Sequence, residues 1–246
     1  MESVTVVLEK SKRSISIECP TTISSEHSLS QIQQFPPLKT WLQSLDQQQS
    51  SISVSKLCIQ SVDAFKSGNI GFIKFITDAH IGDKNIPGIV FLRGGSVAVL
   101  LILRTDIKPR VASYLDSDYC VMVEQPRVAV PAFALQELPA GMLDNAVGVS
   151  TAVREILEET GVRIEASDLV DLGSAYPSPG ACDESVGLYA CEKHVTREEL
   201  GRVKDRVGGL SDELITVRLV RVCDLWRQTS DMKALAALYL WDRQME

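Results

Sequence analysis

Apolar and polar positions alternate, with interruptions, from Ile52 to Val62 and again from Ile70 to Thr77, and the turn-forming Lys66-Ser67-Gly68-Asn69 separates the two runs. Period-two patterning broken by such a turn predicts a β-hairpin. A second turn is marked by Gly82-Asp83-Lys84-Asn85, and Gly88 to Leu103 carries two apolar runs divided by Arg93-Gly94-Gly95. The second run, Val97 to Leu103, is apolar throughout; it is far shorter than the roughly 20 residues that cross a bilayer and reads as a buried strand. Tyr119–Val123, Val186–Cys191 and Leu214–Val222 are further strand candidates, whereas Ser150–Thr160, Arg197–Val207 and Asp231–Trp241 show helical spacing, the last capped by Ser230. Residues 1–50 are polar and weakly patterned, with a Gln/Ser-rich patch from Gln47 to Ser51 and an apolar cluster around Phe35-Pro36-Pro37-Leu38, where Pro37 suits a first helical turn. The pattern predicts an α+β chain in two parts. Residues 1–88 form an N-terminal antiparallel β-sheet region, small for a free-standing domain and expected to pack on a second subunit; residues 89–246 form the larger domain.

Composition narrows the class. The 246 residues are 45% apolar and 23% charged, within the range of ordinary globular chains. Lys and Arg total 25 against 32 Asp and Glu, a net charge of -7, and no basic run tracks a phosphate backbone, so nucleic acid is not an expected partner. An anionic ligand would need metal ions or a few placed arginines to reverse the local field. Six cysteines without a C-x-x-C pair and three scattered histidines argue against a zinc site. No apolar run follows a basic start, so a secretory signal and a membrane span are not expected, and the thiols are expected to be reduced.

The stretch that carries chemistry is Leu138-Pro139-Ala140-Gly141-Met142-Leu143-Asp144, followed by Arg154-Glu155-Ile156-Leu157-Glu158-Glu159-Thr160-Gly161-Val162. At 100° per residue Glu155, Glu158 and Glu159 share one side of a helix, with Val153, Ile156, Leu157 and Thr160 on the other. Three carboxylates so close repel one another, a penalty that a bound cation reverses; hard oxygen donors suit Mg²⁺ or Mn²⁺. Arg154 is placed to brace its neighbours, and Gly161 to end the helix with positive φ.

These residues resemble the Nudix box, G-x5-E-x7-R-E-U-x-E-E-x-G-U, where U is a bulky apolar residue. The match is complete from Arg154 to Val162; Gly141 to Arg154 is one residue shorter than the family spacing, and Ala146 or Val147 stands nearest the place of the first glutamate. Leu138 to Gly141, Glu124-Gln125-Pro126-Arg127, and Pro177-Ser178-Pro179-Gly180 with Asp183-Glu184 are similar to the L-P-A-G, E-Q-x-R and S-P-G-x-x-x-E segments of the ADP-sugar pyrophosphatase branch. Gly71 to Phe75, Pro87 to Gly94 and Leu225-Trp226-Arg227 look most like plant-type ADP-sugar diphosphatases, so the resemblance spans about residues 35 to 243.

The resemblance implies a Nudix fold, a mixed β-sheet sandwiched between helices, and metal-dependent hydrolysis of ADP-glucose to AMP and glucose 1-phosphate, with ADP-ribose or UDP-glucose as rival substrates. A catalytically silent nucleotide-binding dimer is the rival of another class. Carried over by position, Glu155, Glu158, Glu159 and Glu213 are the catalytic metal ligands, with the Ala140 carbonyl as a backbone ligand; Arg93, Arg127 and Glu184 hold substrate; Arg154, Gly141 and Gly161 are structural. Mg²⁺ or Mn²⁺ is the implied cofactor and a homodimer the implied assembly. The cytoplasm is the expected location, with the plastid as the alternative that plant-type relatives suggest.

Overall fold

Residues 1–47, polar in bulk, fold into two strands and three helices. The structure, a computed structural model, describes residues 1–47, 52–105, 117–143, 148–209 and 214–245. These form two compact units, Met1–Gly95 with Ser178–Glu184 and Ser96–Pro177 with Ser185–Glu246.

In the first unit, β1 (Glu2–Val7) pairs antiparallel with β2 (Ser14–Cys19). Ser14 to Cys19 alternates strictly, and Ile15, Ile17 and Cys19 are buried; this short period-two run is diluted by its polar neighbours in a wider reading. Helices α1 (Thr21–Ser24), α2 (Leu29–Gln34) and α3 (Pro36–Gln47) follow. The predicted hairpin is β3 (Ile52–Ala64) and β4 (Ile70–Ile81), extended by β5 (Lys84–Asn85) and by β6 (Ile89–Leu92) on β4. One junction departs from the antiparallel expectation: Ser16–Glu18 of β2 run parallel to Lys56–Cys58 of β3. Parallel neighbours need a crossover of a dozen or more residues, and α1 to α3 supply it. Leu38 and Leu42 of α3 share a core with Leu57, Ile73 and Phe75, and Trp41 meets Phe75 edge-on at 5.3 Å. The end of α3 is tied back by Asp46, which accepts the N–H groups of Lys10 and Ser11 at 2.8 and 2.9 Å. Residues 178–184 join this unit through Phe91, whose N–H donates to the Ala181 carbonyl at 2.7 Å.

The second unit contains β7 (Ser96–Arg104), β8 (Asp118–Arg127), β9 (Ala132–Glu137), β10 (Ala140–Met142), α4 (Gly148–Glu155), β11 (Val170–Ala175), β12 (Val186–His194), α5 (Arg197–Val203), β13 (Val207–Gly208), β14 (Ile215–Arg221), α6 (Leu225–Gln228) and α7 (Met232–Met245). The sheet order is β11-β12-β7-β8-β14-β13, with β9 on β8 and β10 on β7. Every residue of β7 is buried. Ala98, Leu100 and Ile102 pack with Leu225, Ala234, Ala237 and Trp241 of α6 and α7, while Val97, Val99, Leu101 and Leu103 pack with Ala152 and Ile156 on the opposite face. A strand covered on both faces has no polar side to show, which is why this one reads as a continuous apolar run. Helix α7 is capped by Asp231, which accepts the Lys233 N–H at 3.0 Å, rather than by Ser230. Among the described residues, no helix is long and apolar enough to cross a membrane.

Candidate active site

Helix α4 does not continue as an α-helix through the carboxylates. Ile156–Thr160 winds as one π-helical turn, a widened register frequent at functional sites. The uniform carboxylate face expected at 100° per residue becomes a graded one. Glu159 is 5% exposed, the Glu155 side chain 14% and the Glu158 side chain 31%. Arg154 spans the outer two, Nη2 to Glu155 Oε1 at 2.7 Å and Nη1 to Glu158 Oε2 at 2.8 Å, and so offsets their repulsion. Buried Thr160 stays satisfied within the wide turn: its hydroxyl donates to the Ile156 carbonyl at 2.5 Å and accepts the Val162 N–H at 3.1 Å. Gly161 closes the turn at φ +72°, and its N–H donates to the Leu157 carbonyl at 3.0 Å.

Two backbone segments press against this turn. The first is β10, where the Ala140 amide reaches the deepest carboxylate, donating to Glu159 Oε2 at 3.1 Å. Next to it Gly141 lies so near Glu155 that a Cβ would overlap the carboxylate and stand 2.5 Å from Cγ; the residue is glycine because a side chain fills that space. The second is β13, where a Cβ on Gly208 would overlap the Glu159 carbonyl oxygen and lie 2.6 Å from its carbon, and where the Gly209 N–H donates to the Glu158 carbonyl at 3.1 Å. Sequence reasoning missed this second contact, although the Val207-Gly208-Gly209 doublet was its signal. Glu213, together with Asp212, Asp144, Ala146 and Val147, lies outside the described residues.

Arg127, at the end of β8, donates from Nε to Glu137 Oε2 at 2.6 Å. Glu137 precedes the Leu138-Pro139-Ala140-Gly141 run and is also paired through Oε1 to Lys233 Nζ at 3.2 Å. Burial opposes the charge on Lys233, but Asp231 and Glu137 together outweigh it and hold the ammonium above the ordinary lysine pKa. Glu137, Asp231 and Lys233 also went unseen in the sequence, where a charged residue at a helix start looks like any cap.

Arg93 and Glu184 meet in the first unit, Nη1 to Oε2 at 3.2 Å. Between them in the chain, Asp183 accepts the N–H groups of Arg93 at 2.7 Å and Gly94 at 3.1 Å. Burial raises the Asp183 pKa above the usual carboxylate value, against the pull of those N–H groups. Arg93 Nε is buried and has no hydrogen-bond partner among the described residues. The structure therefore gathers Ala140, Gly141, Arg154, Glu155, Glu158, Glu159 and Gly161 at one turn of the second unit and pairs Arg93 with Glu184 in the first.

The donor chemistry at the turn fits a hard divalent cation, with carboxylate oxygens at graded depth on one short segment. Among the described residues, no group of three or more His, Cys, Asp or Glu side chains is arranged to hold a metal ion; Glu155 and Glu158 are instead held by the Arg154 guanidinium.

A family model for the NUDIX domain matches residues 91–241. The chain is 37% identical over 225 residues to Nudix hydrolase 14, chloroplastic, of Arabidopsis thaliana, covering 83% of this chain and 69% of that protein. It is also 37% identical over 87 residues to a GDP-mannose pyrophosphatase of Yersinia enterocolitica, a match covering 35% of this chain and 42% of that protein. Among solved structures, the crystal structure of an ADP compounds hydrolase superimposes with a TM-score of 0.51 at 15% identity, covering 78% of this chain and 96% of that one. At that identity the likeness is one of fold.

Proposed function

The chain belongs to the NUDIX-domain family of hydrolases, and on that premise we propose that it is a metal-dependent diphosphatase that hydrolyses ADP-glucose to AMP and glucose 1-phosphate. The observation that carries the reading is the carboxylate turn: buried Glu159 anchored by the Ala140 amide, with Glu155 seated against Gly141. In the reaction, water adds to one phosphorus as the bridging P–O bond breaks, and the bridging oxygen leaves with the other phosphate. Glu155, Glu158 and Glu159, joined by Glu213, would hold Mg²⁺ or Mn²⁺. Such an ion, when bound, lowers the pKa of water and screens the diphosphate charge.

The protein's own groups do the rest. Arg154 keeps Glu155 and Glu158 from repelling one another. Arg127 supplies local positive charge that a chain of net charge -7 needs in order to hold a diphosphate, and the resemblance assigns Arg93 of the first unit to substrate as well. Arg127 spends only its Nε on Glu137 among the described residues, which leaves two nitrogens of the fork for phosphate. Glu184 orients Arg93.

The GDP-mannose pyrophosphatase among the similar proteins supports a nucleotide sugar as substrate and makes the base and sugar the point to test. Matched assays of ADP-glucose, ADP-ribose, UDP-glucose and GDP-mannose with Mg²⁺ or Mn²⁺, reading released nucleotide by chromatography, test the reading directly. ADP-glucose is expected to turn over fastest, chelator to stop the reaction and Glu159→Gln to lower kcat by about 10³ or more; no turnover of any of the four overturns it in favour of a silent binding protein. We place the protein in the plastid, on the name of the Arabidopsis relative, rather than in the cytoplasm, and as a homodimer; plastid fractionation and light scattering check these two points.

A further inference from the structure

The segment from Thr229 to Lys233, where the chain enters α7, is stitched to three consecutive residues that lead through Pro139 into β10. Thr229 Oγ1 donates to the Gln136 carbonyl at 2.7 Å, Lys233 Nζ pairs with Glu137 Oε1 at 3.2 Å, and Asp231 Oδ2 accepts the Leu138 N–H at 3.0 Å. The stitches are themselves linked: Asp231 Oδ1 takes Lys233 Nζ at 2.9 Å, and the Asp231 N–H donates to Thr229 Oγ1 at 2.9 Å. Beyond Glu137 the chain of charges ends at Arg127.

The arrangement is electrically closed. Two carboxylates, Glu137 and Asp231, alternate with two cations, Lys233 and Arg127, and both carboxylates are nearly buried. A helix capped by aspartate needs only the backbone bonds; it does not need Lys233 to reach across to another strand. The cross-link matters for what lies at its two ends. One end is the Leu138 amide, two residues before the Ala140 amide that holds Glu159. The other is Arg127, which would be drawn wholly onto Glu137 if no second cation shared that carboxylate.

We propose that Asp231 and Lys233 are positioning residues: Asp231 fixes the chain at Leu138 where it enters the strand whose Ala140 amide meets Glu159, and Lys233 shares Glu137 so that Arg127 stays available to substrate phosphate. Neither touches the reacting atoms. The inference rests on the nucleotide-sugar reading for its kinetic consequence and on hydrogen bonds alone for its structural one.

The test uses the full chain in two arms. In the first, amide hydrogen exchange without substrate is followed at Leu138 and Ala140. Asp231→Ala is expected to speed exchange at Leu138 about tenfold and to loosen Ala140 as well; unchanged protection at Leu138 overturns the role of Asp231. In the second, Lys233→Gln and the conservative Lys233→Arg are assayed in the native protein and in Arg127→Gln. Lys233→Gln is expected to raise KM for the nucleotide sugar about tenfold while kcat changes little, with Lys233→Arg restoring most of the loss and the effect vanishing in Arg127→Gln. A loss of the same size in both backgrounds, or one carried by kcat and unrescued by arginine, shows a merely structural lysine and overturns its role. If the unaltered protein cleaves no nucleotide sugar, the functional reading fails by itself; nucleotide-sugar binding measured by calorimetry then replaces KM in the same cycle, and a Lys233 effect independent of Arg127 still overturns the proposal.

Discussion

Replacing Gly141 by alanine adds one methyl group at the closest approach of β10 to the carboxylate turn. The new Cβ would overlap the Glu155 carboxylate and stand 2.5 Å from Cγ, where ordinary contact begins at 3.4 Å. Cγ must therefore retreat by at least 3.4 − 2.5 = 0.9 Å, and the carboxylate beyond it by more. The three nearest atoms belong to one side chain that can rotate, so the fold is spared: an off-rotamer Glu155 costs about 1 kcal/mol, or about 2–4 °C in Tm. On the proposed role of Glu155, catalysis is not spared, because a catalytic group displaced by about 1 Å loses on the order of 10²-fold. The same rotation pulls Glu155 Oε1 away from Arg154, whose other acidic partner among the described residues is Glu158. The assay pairs thermal unfolding with kcat at saturating metal and nucleotide sugar. A Gly141→Ala protein that keeps kcat within about twofold refutes the assignment of Glu155 to the catalytic turn. So does a collapse in Tm that accounts for the lost activity.

Three further outcomes follow from the same geometry. Gly208→Ala sets a Cβ against the Glu159 backbone, which cannot rotate away, so it is expected to cost roughly 3 kcal/mol, read as a fall in Tm well beyond that of Gly141→Ala; equal effects of the two would contradict the distinction between side-chain and backbone overlap. Of six free thiols, Cys223 is exposed while Cys19, Cys120 and Cys191 are buried, and burial pushes the Cys191 thiol up to about 11; Ellman's reagent should show a fast phase that Cys223→Ser removes, and a surviving fast phase would place another thiol at the surface. The backbone N–H groups of Lys10 and Ser11 lower the Asp46 pKa from 3.8 to about 2, so its contribution to stability is full above the ordinary value and lost as pH falls towards 2. Asp46→Asn should flatten that part of the acid-unfolding curve, and an unchanged curve would show that the tie does not persist in solution.

The sequence was legible where one period dominates over several residues. The unbroken run at Val97 to Leu103 announces a strand covered on both faces, and Arg154 to Val162 announces the family by residue type and spacing. Reading failed where the signal was short or lay in a partner far along the chain. Strand β2 offers six alternating residues inside a polar stretch. The parallel junction with β3 depends on helices that follow it. The π turn is invisible to any scheme that assigns 100° to each residue, and the close approaches of β10 and β13 to it come from segments distant in the sequence. Asp231 and Lys233 look like helix caps until Gln136, Glu137 and Leu138 are seen beside them, about 95 residues earlier in the chain.

The tie between residues 91–94 and 181–183 has a consequence for how the protein is made. Arg93 and Gly94 donate their N–H groups to Asp183, and Phe91 donates to Ala181, across a separation of 90 residues. On a ribosome adding about 5–20 residues per second, those donors emerge roughly 5–20 s before their acceptors exist. For that interval the edge of β6 is an open strand end, bonded to water or to whatever strand it meets. The first unit's sheet is thus begun before the second unit and completed only from within it, when the seven residues 178–184 arrive.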